Sequence, residues 1–272
     1  MKRNFLISIA IIVSSFVNVY SQDTYDTILD NIEKALNAED WQKADSLTLM
    51  LLRMDPGNPS NSLLLSNLGM YRFYSGNDSL AIDALDKACA MAPNSVTILA
   101  NRARVRTAIN EIQGAIEDYN HIIEVDSTYS DAYLHRGVIY LHSGEFEAAY
   151  TDFMQLLKLN PESEETNIAL TSYYIITEQP SEALPYLSWL IKENPTAEYY
   201  AMRAMANIRL DKLMDAADDI FEGIILDAEY SELYVARALL NKRRYEEAAA
   251  RKDIEKAIAL GADPIRLSLI LK

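Results

Sequence analysis

Residues 130–163 read SDAYLHRGVIYLHSGEFEAAYTDFMQLLKLNPES, and the rest of the chain can be read outward from them. Ala132, Tyr133, Arg136, Gly137 and Tyr140 recur at helical spacing, so one stripe of a first helix faces a neighbour. His142, Ser143, Gly144 and Glu145 interrupt the stripe, with Gly144 where a helix end needs a left-handed residue. Phe146, Ala149, Phe153, Leu156 and Leu157 then form a second amphipathic stripe, stopped by Asn160-Pro161. The segment is predicted to be a helical hairpin.

The hairpin recurs along the chain. Ala81, Ala115, Ala149 and Ala183 lie 34 residues apart, and the series extends back to Ala44 and on to Ala216 and Ala250. A second column of small residues runs Gly69, Ala103, Gly137, Thr171, Ala204 and Ala238, and a third holds Pro56, Pro93, Pro161 and Pro195. A small residue on each of two helices lets their backbones approach, and proline closes the second helix. The first unit is worn at Asn31, Ile32 and Ala35, and 57–61 form a polar connector. The fifth unit has Glu178-Gln179-Pro180 in place of the loop glycine, with Pro185 expected in the first turn of its second helix.

Tyr133-x2-Arg136-Gly137-x2-Tyr140, Ala149-x3-Phe153 and Pro161 together resemble the tetratricopeptide pattern, in which Trp-x2-Leu-Gly-x2-Tyr precedes Ala-x3-Phe and Pro. Units in phase with this one cover about residues 25–264. The resemblance implies an all-α chain, a right-handed α-solenoid of about seven helix-turn-helix repeats, each packed only on its neighbours. The expected boundaries are a signal peptide over 1–21, a degenerate first repeat over 22–58, repeats two to seven over 62–264, and a C-terminal cap over 265–272. In the last segment Ile265, Leu267, Leu269 and Leu271 alternate as a strand would. Leu267, Ile270 and Leu271 also fit a short capping helix, which the context favours.

Composition excludes several classes. Only 8 Gly and 8 Pro among 272 residues are too few for a turn-rich β fold, and half the residues are hydrophobic, enough for a sizeable core. Forty acidic residues against 25 basic ones, a net charge of −15, oppose binding to nucleic-acid phosphates. The single cysteine, Cys89, cannot form an internal disulfide and reads as a buried structural thiol. No P-loop, GxSxG or HExxH motif is present. His135 and His142 share a helix but lie about 10 Å apart along its axis, too far to chelate one metal unaided. The expectation is a protein without catalytic residues, cofactor or metal.

The N-terminus has a different character. Lys2 and Arg3 precede the apolar stretch 5–19, which is short for a spanning helix, and Val19-Tyr20-Ser21 places small residues at the two positions that determine cleavage. This predicts a secretory signal peptide cleaved after Ser21, with an uncleaved anchor as the alternative. No cysteine follows that could carry a lipid. The chain is therefore expected to be exported, to the periplasm or onward to the outer membrane or medium, with no integral membrane span after cleavage.

Four units carry an arginine just before the second small column: Arg102, Arg136, Arg203 and Arg237. Each is followed sixteen residues later by an aspartate: Asp118, Asp152, Asp219 and Asp253. The other three units have neither partner, showing Asn31 with Leu47, Leu68 with Ala84, and Leu170 with Tyr186. This all-or-none pattern predicts structural ion pairs within repeats rather than four ligand-binding arginines.

The resemblance also implies a concave groove lined by the first helices, where members of the family bind peptides or folded partners. Carried over position by position, it assigns Met70, Phe73 and Tyr74, then Arg104, then Leu134, Val138, Leu141 and His142. Ile168, Ser172 and Ile175 continue the track, followed by Met205, Ile208 and Arg209, and by Val235 and Leu239. These positions are mostly apolar and lack the Lys/Asn/Arg clamp of the chaperone-tail domains. The expected function is a non-catalytic scaffold or adaptor for a protein or peptide with an apolar or amphipathic segment. The alternative is a self-associating structural solenoid or an accessory subunit of an envelope complex.

Overall fold

Fourteen α-helices, and no strand among the described residues, make up the chain in a computed structural model that describes residues 19–265 and 267. The helices alternate as first and second members of seven hairpins. They are α1 (Val19–Asn37) with α2 (Trp41–Met54), α3 (Asn61–Tyr74) with α4 (Asp78–Met91), and α5 (Val96–Ala108) with α6 (Ile112–Val125). There follow α7 (Ser130–His142) with α8 (Phe146–Leu159), α9 (Glu164–Ile176) with α10 (Pro180–Glu193), α11 (Ala197–Arg209) with α12 (Leu213–Leu226), and α13 (Ser231–Arg243) with α14 (Glu247–Ala259). The predicted signal peptide falls almost wholly on residues outside those described, as does most of the predicted terminal cap. Of the cap, Pro264, Ile265 and Leu267 are helical, and Leu267 is buried against Tyr234, Val235 and Ala257.

The two small columns form the seam of every hairpin. Ala44, Ala81, Ala115, Ala149, Ala183 and Ala216 are fully buried, and Ala250 nearly so. Opposite them lie Ala103, Thr171, Ala204 and Ala238, also without exposure. At Gly137 a Cβ atom would stand 2.6 Å from the Phe153 ring, which is why that contact admits no side chain. Each of Pro56, Pro93, Pro161 and Pro195 comes directly after the residue capping its second helix.

The turn inside each hairpin is the same in all seven. One residue takes a left-handed conformation: Glu39, Gly76, Asn110, Gly144, Glu178, Asp211 and Tyr245, with φ between 54° and 78°. The next residue's N–H then reaches back five residues to a helix carbonyl, as from Glu145 to Tyr140 (2.9 Å) and from Gln179 to Tyr174 (2.8 Å). Pro185 corrects an expectation. It is the sixth residue of α10, past the first turn, and Pro180 occupies the first helical position instead. The helix tolerates it because Pro185 and Ser181, whose carbonyl loses a donor, both face solvent.

The chain divides into two compact units, Met1–Ala132 and Tyr133–Lys272. In the first, Ile28, Ile32 and Ala35 of α1 pack with Ala44, Leu51 and Tyr71, so the hairpin with the most worn motif still has a core. In the second, Ala204, Ile208, Ala216, Ile220, Ala236 and Leu240 knit α11, α12 and α13 together.

Candidate functional site

The charged residues written into the repeat are engaged with one another. Arg136 donates from Nε to Asp152 (2.9 Å) and from Nη2 to its other oxygen (2.6 Å). Arg102 grips Asp118 in the same way (3.0 and 2.6 Å), as Arg203 does Asp219 and Arg237 does Asp253. The four aspartate side chains are only 3–7% exposed. The hydrogen bond to Asp152 holds the Arg136 guanidinium above its ordinary value, outweighing the opposing effect of burial, and Asp253 acts likewise on Arg237.

A further partner, one turn beyond each arginine, escaped the reading of the sequence. Asn207 donates to Asp219 (2.9 Å), Asn241 to Asp253 (2.8 Å), and Arg106 to Asp118 (3.0 Å). The corresponding position in the fifth hairpin is Tyr174, and it stacks on Tyr186, which stands where the aspartate would be (5.8 Å between ring centres). Leu170 there is fully buried. The whole polar network has thus been exchanged for aromatic and aliphatic packing. The spacing of four residues from the arginine was the signal that could have revealed it.

The first-helix face divides into core and surface. Four residues expected to line a groove belong to the core instead: Met70, Leu141, Ile208 and Val235 are 9%, 5%, 4% and 1% exposed. Met70 packs with Ala81, Leu85 and Val105, Ile208 with Ile220 and Leu240, and Val235 with Ala257 and Leu267, so these positions point toward neighbouring helices. In the first unit Phe73 and Tyr74 are half-buried, with Tyr74 against Trp41 (4.9 Å). Arg104 is held by Asp131 (3.3 Å).

In the second unit Leu134, Val138, Ser172, Ile175, Met205 and Leu239 are half-buried, while His142, Ile168 and Arg209 are exposed. Ile175, Met205 and Arg209 come together in a cleft of about 450 Å3 whose wall also includes Ala201, Met202, Glu198 and Glu232. Met202 and the two glutamates were not foreseen. Glu198 and Glu232 lie 34 residues apart, the repeat length, and aligning the first turns of α11 and α13 would have exposed them. A polar cavity of about 330 Å3 lies beside α12, but its Arg203 and Asp219 are bonded to each other.

No group of three or more His, Cys, Asp or Glu side chains placed to hold a metal occurs among the described residues. Cys89 is buried, and burial raises its thiol. No helix among the described residues is long and apolar enough to cross a membrane.

Helical hairpins repeated on one small-residue seam define the chain as an all-α repeat solenoid. A family model for the tetratricopeptide repeat matches residues 130–163. A tetratricopeptide repeat protein from Parabacteroides merdae is 25% identical and superposes with a TM-score of 0.67, covering 92% of this chain and 98% of that one. The chain belongs to the tetratricopeptide-repeat family. YrrB, described as a tetratricopeptide repeat protein with an unusual peptide-binding site, shares the fold at 22% identity and a TM-score of 0.58, over 69% of this chain and 97% of its own. Mouse DnaJ homolog subfamily C member 7 is 28% identical over 125 residues, 41% of this chain and 25% of the mouse protein. The chain thus spans a quarter of that relative's length.

Proposed function

We propose that this chain is a non-catalytic scaffold that holds an apolar segment of a protein partner on the first-helix face of its second unit. The observation that carries the proposal is the cleft on α9 and α11, where Ile175, Met202 and Met205 meet without a covering element among the described residues. An open apolar surface of this kind marks an interaction site more often than idle surface. The peptide-binding site named for YrrB lies on the same fold, which supports the reading. The partner is a protein or peptide, and no cofactor or metal enters. We place the scaffold outside the cytoplasm, on the strength of Lys2, Arg3, the apolar stretch 5–19 and Val19-Tyr20-Ser21. N-terminal sequencing of the exported protein should then begin at Gln22.

The test is affinity capture from periplasmic extract with residues 22–272, beside a Val138→Glu/Ile175→Glu variant shown by circular dichroism to remain helical. A partner held by the first and lost by the second supports recognition on this face. The same partner held by both moves recognition elsewhere.

Self-association is a second reading, favoured by α12. Met214, Phe221 and Ile225 lie on one side of that helix and are 71%, 64% and 63% exposed. Light scattering on a size-exclusion column distinguishes it: a dimer dissociated by Phe221→Glu supports it, and a monomer at every concentration ends it.

A further inference from the structure

The cleft on α11 carries charge at both ends as well as an apolar floor. Glu198 stands in the first turn of α11 and Arg209 in the last, and both line the cleft. Neither has an ion-pair partner among the described residues, whereas Arg203 on the same helix is gripped by Asp219. Glu232, in the first turn of α13, lines the same cleft. The helix dipole favours an acid at the start and a base at the end of α11. It explains neither the thioether floor of Met202 and Met205 between them nor the convergence of all these groups on one cleft.

Size decides what form of chain fits. Eleven residues of helix separate Glu198 from Arg209, about 16 Å along the axis. A second helix of that length, about 10 Å across, would fill roughly 1,200 Å3. The cleft offers about 450 Å3, so an extended segment fits and a helix does not. At about 3.3 Å per residue, such a segment covers the distance in about five residues.

We infer, resting on the scaffold reading above, that the cleft binds an extended protein segment with a basic and an acidic side chain about five residues apart, flanking an aliphatic centre. The basic group meets Glu198 and Glu232, the acidic group meets Arg209, and the aliphatic side chains sit on Ile175, Met202 and Met205.

Three dye-labelled peptides with blocked termini test it by fluorescence anisotropy at 150 mM salt: Lys-Ser-Leu-Thr-Leu-Glu, a form with lysine at both ends, and a form with glutamate at both ends. The zwitterionic peptide should bind at least tenfold more tightly than either other. Arg209→Glu should transfer the preference to the dibasic peptide. Met205→Glu, with helicity checked by circular dichroism, should abolish binding of all three. Equal affinities that are nevertheless lost in Met205→Glu would overturn the charge assignment and leave the scaffold reading standing. No binding, or binding indifferent to Met205→Glu, would overturn the inference for this cleft. The captured partner remains the separate test of the scaffold itself.

Discussion

Asp152 accepts two hydrogen bonds from Arg136 while almost out of reach of water, and this sets the energetics of the pair. Desolvating two charges offsets most of their attraction, so the pair adds little net stability, but breaking it strands a buried charge. Arg136→Leu alone should therefore cost about 3–5 kcal/mol in urea unfolding. Adding Asp152→Leu should recover a large part of that loss, because no charge is then left uncompensated. Simple additivity of the two single effects would rule out the coupling. The fifth hairpin is the natural precedent, with Leu170 and Tyr186 at these two positions. At this scale the sequence was informative because arginine and aspartate vanish together. The partners Asn207 and Asn241 were not legible, since the same position holds Arg106 and Tyr174 elsewhere and no one residue type marks it.

The hairpin turn is the element where geometry is constant and sequence is not. All seven turns place one residue in the left-handed region, yet only Gly76 and Gly144 are glycines. Tyr245 adopts φ 64° with its side chain 91% exposed, so it carries backbone strain with no packing to offset it. Relief of about 1–2 kcal/mol, less the entropy glycine adds to the unfolded chain, predicts that Tyr245→Gly stabilises the protein by about 0.5–1 kcal/mol. Thermal unfolding would detect it, and an unchanged or lower midpoint would count against the strain. The seam makes the opposite demand. Gly137→Ala must push a methyl group into the Phe153 ring, and should lower stability by about 1–3 kcal/mol in denaturant titration. The seam was legible because tight packing demands a small side chain at every turn of the repeat. The turn was not, because five different backbones reach the left-handed region with Glu, Asn, Asp or Tyr. The groove was legible only in part, for periodicity gives a residue's face on its own helix but not how far the next hairpin covers it. Ile208 and Val235 are covered and Arg209 is not.

Seventeen tyrosines are spread along the whole chain, and several are buried within its hairpins, so the response to alkali belongs to the molecule rather than to one site. Tyr71, which packs in the core of the first two hairpins, is pushed by burial from 10.0 up to about 12. Burial raises Tyr119, Tyr174 and Tyr199 as well, the last aided by its hydrogen bond to Glu164 (2.6 Å). In the unfolded chain all four ionise near 10. Between pH 10 and 12 the folded protein therefore keeps protons that the unfolded chain has released, and stability must fall as pH rises. Their contribution is whole below pH 10 and disappears as pH climbs through the folded values. Each fully differing tyrosine contributes a slope of about 1.4 kcal/mol per pH unit. Urea midpoints measured at pH 8, 9.5, 10.5 and 11.5 should be level at first and then decline steeply. Tyr71→Phe removes one of the groups and should flatten the decline by about that slope, while exposed Tyr245→Phe should leave it unaltered. If the Tyr71→Phe curve runs parallel to the wild type through pH 11.5, the buried ring does not resist ionisation.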